Sequence, residues 1–417
     1  MSTSLLADAF RKIVKSHKDL SMKMEKEADV GYSTGYPNFD FRNASVIHVK
    51  NDNMNLDYKY YSVGITDGAM VGVIGGTGTG KTTFVNQVAA NIIRPFKSAC
   101  VFEDALESGL QDSRKERLTG FTGDQLKERW ITRNVGITSE SFFERMKIIH
   151  DLRMQQVNEY MYDTGYKNYN GNPIYKMEPC CYILDSWALL RPKGLVEEEQ
   201  ISGQMSVTSS AKMNTEIIRR IIPMLKEANI ILFIVNHILS DVNINPYAKK
   251  RKQVQYLEEG ERVPGGDSVL YLANTLLRLD VSTLKPELFG IDGTIVRMKI
   301  LKSRTNKPNT IIQLVYDYRN GYDPELSLYL MMKLEGKIES SGAWMHIVGY
   351  PDMKFQQKGF KNKLREDSKF QQVFMEECIK VLKSMCDEDI EAEKEEAENN
   401  SLFVTDMMNS IVKKSAA

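Results

Sequence analysis

Gly75-Gly76-Thr77-Gly78-Thr79-Gly80-Lys81-Thr82 fits the pattern G-x-x-x-x-G-K-[ST] and runs on into Thr83, directly after an apolar run at 71–74. Residues of these types at this spacing are suited to holding phosphate. The glycines let successive backbone N–H groups curl around phosphate oxygens, Lys81 brings a point charge to the outer phosphates, and the Thr82 hydroxyl can hold Mg²⁺. ATP with Mg²⁺ is the expected pair. Such a site also needs a second hard oxygen for the metal and a base for water. The run CCYILD ends in Asp185, about a hundred residues further on, which makes it the candidate metal carboxylate; a strand cap is the alternative. VFEDALE places Glu103, Asp104 and Glu107 within five residues, and one positioned base suffices, so Glu103 and Glu107 both stand as candidates. Lys302 and Arg304, two apart at the end of TIVRMKILKSR, share a strand face and can converge on one anion. His237 ends another apolar run. The 27 residues after it (238–264) contain Lys249, Lys250, Arg251 and Lys252 between Tyr247 and Tyr256. That composition suits backbone contact and base stacking on single-stranded nucleic acid, or else a solvated loop.

These groups need elements that bring them to one place. From Met70 onward apolar runs alternate with amphipathic stretches: VGVIGG, then a helix over 81–93; ACVFED, then helices over 108–118 and 139–160; CCYILDS, then a helix over 207–228. IILFIVNH, LLRLD, TIVRMKILKS and IIQLVYD follow. Apolar runs without polar alternation, joined by helices, predict an α/β fold whose mostly parallel twisted sheet is covered on both faces, with antiparallel strands late in the chain. Leu5, Ala9, Ile13 and Leu20 fall at helical spacing before a break at 31–38, which predicts an N-terminal helical arm. After about residue 330 the pattern changes to short helices, an aromatic turn at Gly342-Ala343-Trp344, a basic stretch over 354–369 and a helix over 370–385. A small α+β C-terminal domain is expected there.

With 417 residues, 42% hydrophobic and 26% charged, the composition is globular and excludes a disordered or fibrous chain. The longest apolar runs fall well short of the ~20 residues of a membrane span, and Arg11, Lys12 and Lys15 interrupt the N-terminal one. No membrane partner and no secretory signal are expected. Five cysteines without a C-x-x-C pair read as thiols in a reducing cytoplasm, the host's if the gene is viral. The zero net charge is unevenly placed: residues 387–398 hold eight acids and one lysine, leaving a body with 54 basic and 47 acidic residues, a net +7. An acidic tail beside a mildly basic body suits a nucleic-acid protein, and suits equally a merely solvated tail.

The order of these motifs resembles the RecA family of recombinases, and within it the phage UvsX-type members, over residues 32–380. LDSWALLRPKG followed by EEEQISGQM looks like the family's metal-holding strand and first DNA loop. IILFIVNHIL is similar to the sensor strand, with Asn236-His237 as in phage members, and VPGGDSVLYLANTLLRLD to the Gly-Gly helix after the second DNA loop. KILKSRTNKP resembles the segment that reaches across the subunit interface, and SGAW with its basic turn and final helix the duplex-capturing domain. The resemblance implies a docking arm over 1–62, a RecA-like P-loop ATPase core over 63–330, a DNA-capturing domain over 331–386 and an acidic tail over 387–417. It implies Lys81 and Thr82 for phosphate and Mg²⁺, Asp185 for Mg²⁺, His237 as γ-phosphate sensor, and Lys302 and Arg304 as fingers for a neighbour's ATP. Glu107 is the favoured catalytic carboxylate and Glu103 its competitor. The family's adenine-stacking aromatic has no counterpart in 111–115, which leaves base contact to Arg114. Gly203 and Gln204 in the first loop, the basic run Lys249 to Lys252 in the second, and Gly265 and Gly266 after it are implied for DNA. The implied activity is a DNA-dependent ATPase that forms a helical filament on single-stranded DNA and pairs it with a homologous duplex, with single-strand-binding and loading proteins as further partners. A ring-shaped replicative helicase and a KaiC-like or mediator ATPase acting on proteins are the alternative readings.

Overall fold

The computed structural model describes residues 30–197, 204–240, 253–284 and 289–387, with side chains in the helix after residue 203 from Ser210 onward. The apolar runs form one nine-stranded sheet. In chain order its strands are β1 (Met70–Gly75), β2 (Val101–Ala105), β3 (Trp130–Arg133), β4 (Cys180–Asp185), β5 (Ile230–His237), β6 (Thr275–Val281), β7 (Gly293–Lys302), β8 (Thr310–Asp317) and β9 (Gly321–Asp323). Their spatial order is β9-β8-β7-β6-β1-β5-β4-β2-β3. Neighbours from β6 to β3 are parallel, and those from β6 to β9 antiparallel, as the late change of pattern predicts.

The parallel strands are buried on both faces because their side chains alternate between two apolar layers. Val71, Val73, Cys181, Ile183, Ile231, Phe233 and Val235 meet Phe84, Val85, Val88 and Ile92 of α1 (Lys81–Ile93). Met70, Cys180, Tyr182, Leu184, Ile230, Leu232 and Ile234 meet Phe142, Met146 and Ile149 of α4 (Ser139–Gln155), and Ile218, Ile221 and Leu225 of α5 (Gln204–Glu227). Each such aliphatic side chain is worth about 1.5–3 kcal/mol when taken from water, so the two layers hold the strand ends, and the chemistry on them, in fixed register. Between these helices α2 (Asp112–Thr119) and α3 (Gly123–Arg129) lead into β3, and α6 (Ser268–Leu272) and α7 (Pro324–Leu334) follow later.

The helix expected over 139–160 ends at Gln155. After a turn at Val157–Tyr160 comes a hairpin, Met161–Lys167 with Pro173–Met177. The turn residues Asn168 to Asn172 between two tyrosine-rich runs are the signal that distinguishes it from helix. Residues 1–29 of the expected arm lie outside the described residues. The rest of 1–62 is helical only in a short helix at Pro37–Arg42 and a 3-10 turn at Asp52–Met54: Ser45–Asn51 and Leu56–Ser62 pair as a second hairpin, and Tyr60 stacks on Tyr166 of the first with ring centroids 4.1 Å apart.

Where short helices were expected after residue 330, Ile338–Ser341, Trp344–Ile347 and Tyr350–Phe355 form a three-stranded antiparallel sheet, turned at Gly342 (φ +63°). Helices at Phe360–Glu366 and 368–387 close it. Phe355, Phe360, Phe370 and Phe374 share one apolar cluster with Tyr329 of α7 and with Ile295 and Val315 of the central sheet. The expected boundary near residue 330 thus falls inside α7, and the cluster spans it. Several charges of the basic stretch are paired: Lys361 with Asp323, Lys363 with Asp367 and Arg365 with Glu325. All five cysteines are free thiols, and no helix among the described residues is long and apolar enough to cross a membrane.

Candidate active site

The P-loop connects β1 to α1 at the carboxyl edge of the parallel strands. Gly78 and Gly80 have φ of +79° and +77°. A Cβ at Gly78 would meet nothing within 4 Å, so its backbone is open to a phosphate, whereas one at Gly80 would press on Tyr322 Oη at 3.0 Å and the Tyr316 ring at 3.1 Å. Lys81, at the start of α1, is 5% exposed. Its ammonium donates to the carbonyls of Gly75 (3.1 Å) and Gly76 (2.7 Å). Burial lowers its pKa, against the opposing charges of Asp185 and Glu107.

Asp185 ends β4 beside the P-loop, and Thr82 Oγ1 donates to its Oδ2 at 2.5 Å. Burial pushes the carboxyl up to about 6, opposed by the Thr82 hydroxyl and reinforced by the charges of Glu107 and Glu103. Its Oδ1 is buried with no hydrogen-bond partner. A hard-oxygen pair with one lone buried oxygen fits Mg²⁺, which takes one or two protein oxygens and completes its shell with phosphate and water.

Glu103 and Glu107 face different surroundings. Glu103 is fully buried, and its Oε2 accepts from Lys115 Nζ (2.6 Å), Trp130 Nε1 (2.8 Å) and Thr132 Oγ1 (2.9 Å). Asp104 is likewise buried, held by Arg133, Arg145 and Tyr182. Both are engaged by residues outside the P-loop, which sets Glu103 apart from Glu107 as a candidate. Glu107 lies beyond the strand end, where the backbone N–H groups of Leu106 and Glu107 donate to Asp185 O. Its Oε1 accepts from Ser186 Oγ at 2.5 Å and His237 Nε2 at 2.8 Å. Burial would raise its pKa, but these two hydrogen bonds and the charges of His237 and Lys81 bring it below the ordinary glutamate value. With Nε2–H donating to Glu107, His237 Nδ1 is left facing Lys81 Nζ at 3.5 Å. Lys81, His237, Glu107, Ser186, Asp185 and Thr82 therefore form one connected set.

Strand β8 runs back parallel to β6, so its end returns three tyrosines to the P-loop edge. Tyr322 Oη donates to Thr79 O at 2.7 Å, the Tyr316 ring packs on Tyr322, and Tyr318 is 49% exposed with its carbonyl accepting from Arg114 Nη2 at 3.1 Å. Sequence reasoning missed these rings and Ser186. The aromatic spacing in YDYRNGY and the serine after Asp185 are the signals that carried them.

Lys302 and Arg304 lie elsewhere. Strand β7 is antiparallel to β6 and pairs Lys302 with Leu276, near the amino edge of the sheet, while the P-loop end of β1 pairs Gly75 with Leu279. Lys302 Nζ donates to Tyr271 O at 2.5 Å, and Arg304 is exposed. The structure does not bring either cation to the P-loop of its own chain.

Comparison with known proteins adds a relationship to this geometry. The RecA protein of Pseudomonas putida is 27% identical over 167 residues, 39% of this chain and 42% of that protein. The RecA protein of Marinobacter nauticus is 23% identical over 298 residues, 71% of this chain and 72% of that protein. The chain is similar to RecA proteins at low identity. It spans less than half the length of the Pseudomonas relatives, the RecA protein of Pseudomonas fluorescens among them at 27% identity and 44% of its length. No protein-family model matches the chain.

Of the residues that the RecA likeness implies for DNA, Gly203 and the run Lys249 to Lys252 lie outside the described residues, and Gln204 is described only as the first residue of α5. The stem of the second loop is described. Leu239–Ser240 pairs antiparallel with Glu261–Arg262, and Tyr256 packs partly buried against Ile74, Leu257 and Leu276. Tyr256 is thus half-covered by this cluster and not fully exposed beside the basic run. Gly265 and Gly266, at φ of +81° and +95°, follow this stem.

Proposed function

We propose that this chain is a DNA-dependent ATPase that polymerises on single-stranded DNA and pairs it with a homologous duplex, in the manner of the UvsX-type recombinases its motifs resemble. The observation that carries the reading is His237. Its imidazole touches Glu107 on one side and faces Lys81 on the other, and its backbone opens the stem of the second loop. The γ-phosphate side of the site and the loop are one residue apart, so hydrolysis can alter the grip on DNA.

In this reading the P-loop N–H groups and Lys81 hold the phosphates, and Glu107, kept ionised by Ser186 and His237, orients the attacking water. Thr82 and Asp185 would hold Mg²⁺, which when bound neutralises charge on the phosphates. Tyr318 and Arg114 offer an aromatic face and a cation to the base. Lys302 and Arg304 stabilise charge in the site of the next subunit, because the site of one chain lacks them. Head-to-tail contacts of this sort extend to filaments when they do not close. Glu103 and Asp104 are engaged in buried ion pairs with Lys115 and Arg133, which leaves Glu107 as the carboxylate placed to act on water.

The test is joint-molecule formation between a labelled single strand and a homologous supercoiled duplex, with ATP and Mg²⁺. Homology-dependent joints that vanish in Lys81→Ala are expected. Unwinding of a forked duplex without joints would replace the recombinase by a ring motor. Two further outcomes are expected. Lys81→Ala and Arg304→Ala subunits, each inactive alone, regain hydrolysis when mixed, because roughly a quarter of random interfaces then pair an intact P-loop with an intact finger. Mixed subunits that stay inactive would place Arg304 outside the neighbour's site. Single-strand affinity should fall with salt at a log-log slope of about −0.7 per phosphate contacted, and less steeply once Lys249 to Lys252 are neutralised. An unchanged slope would remove the basic run from the DNA site.

A further inference from the structure

Trp187 follows Ser186 and is fully buried among the apolar side chains around Tyr182, Leu190 and Ile218. Its indole N–H donates to the carbonyl of Gly265 at 2.9 Å. A Cβ at Gly265 would stand 2.7 Å from Trp187 Cδ1 and 2.8 Å from its carbonyl oxygen, so the glycine is what admits the indole this closely. Gly266 rests on Ala211 of α5, where a Cβ would meet that of Ala211 at 3.1 Å. One residue earlier, Pro264 O accepts from Asn236 Nδ2 at 2.9 Å.

The point where the chain returns from the second loop is therefore held by two strand ends. Strand β5 holds it through Asn236, and β4 holds it through Trp187. Each of these residues is followed or preceded in sequence by a residue that hydrogen-bonds Glu107: His237 after Asn236, and Ser186 before Trp187. We propose, resting on the recombinase reading above, that Trp187 is a positioning residue: a second linkage, beside His237, between the phosphate side of the site and the DNA loop. An indole offers one donor, and a buried donor needs its acceptor, so the contact with Gly265 is either made or lost and not gradually stretched. Gly265 and Gly266 at positive φ form the flexible joint that such a contact would lock or release. A close-packed interior carries a displacement of Ser186 to the indole instead of absorbing it.

The experiment compares wild type with Trp187→Phe, which keeps a buried ring and deletes the donor. Three quantities are read: affinity for fluorescent oligo(dT) with ATPγS and with ADP, affinity for a fluorescent adenine nucleotide, and thermal midpoint. Wild type is expected to bind DNA about tenfold or more tighter with ATPγS than with ADP, a ratio typical of coupled sites. In Trp187→Phe the ratio falls to about threefold or less while nucleotide affinity stays within about twofold. A retained ratio would overturn the proposal. So would an equal loss of DNA affinity with both nucleotides, which would make Trp187 a support of the fold alone. Should Trp187→Phe fail to fold, Gly265→Ala presses on the same indole from the other side and is expected to lose the ratio too; a wild-type ratio in that variant overturns the proposal. If wild type itself shows no nucleotide-dependent ratio, the recombinase reading fails, and this linkage with it.

Discussion

Glu107→Gln is expected to lower the single-turnover rate of ATP hydrolysis by about 10²–10⁴-fold, the usual contribution of a positioned general base, with ATP affinity little changed. The amide still accepts from Ser186 and His237, so the local hydrogen bonds survive, and what is lost is the charge that orients and deprotonates water. Glu103→Gln is the control, since it removes one partner from a buried ion pair with Lys115. Breaking such a pair leaves an uncompensated charge in the interior and costs about 3–5 kcal/mol. It should therefore appear in denaturant melts, with hydrolysis per folded molecule largely kept. Quenched-flow measurement of both variants decides between the two carboxylates. Loss of hydrolysis in Glu103→Gln at unchanged stability would move the base to Glu103.

Asp185→Asn should abolish Mg²⁺-dependent hydrolysis and at the same time stabilise the fold at pH 8. In the folded chain burial pushes this carboxyl up to about 6, against an ordinary value of 3.8. Below the ordinary value the group is protonated both folded and unfolded, and no penalty exists. As pH rises through 3.8 the unfolded chain ionises freely and the folded chain does not, so stability falls until pH passes the folded value. The loss above about pH 6 amounts to roughly 2–3 kcal/mol for a shift of this size. Asparagine mimics the protonated acid and can still accept from Thr82, so the variant should gain that amount at pH 8 and only about 0.5 kcal/mol at pH 4, where the unfolded carboxyl is just over half ionised. Urea melts without Mg²⁺ at the two pH values check this. A variant less stable than wild type at pH 8 would show that the carboxylate is not strained by burial. A gain of the expected size would show that the site carries a cost in stability, of the kind a divalent cation on Asp185 would relieve.

The amino-acid sequence by itself determined whatever is written in short spacing. The P-loop is legible because its function is a backbone conformation, and glycines with a lysine and a hydroxyl encode that conformation within eight residues. The two-sided burial of β1, β4 and β5 is legible because apolar runs of six to eight residues without alternation, joined by helical stretches, fit strands covered on both faces. The expected common face of Lys302 and Arg304 is not realised, because the strand ends at Lys302 and Arg304 lies in the bend beyond it, where period two no longer holds. Only the tertiary structure separated Glu103 from Glu107. Three acids within five residues look alike until Lys115, Trp130 and Thr132, from other elements, close around one of them and Ser186 and His237 meet another. Tyr256 went the same way, drawn into an apolar cluster that its cationic neighbours in sequence gave no sign of. Trp187 and Gly265 are 78 positions apart, and nothing local announces their contact. Local motifs are set by backbone geometry, which nearby residues encode. Which buried charge is neutralised, and which ring is covered, is set by packing between distant segments, where one hydrogen-bond partner more or less reverses a side chain's role.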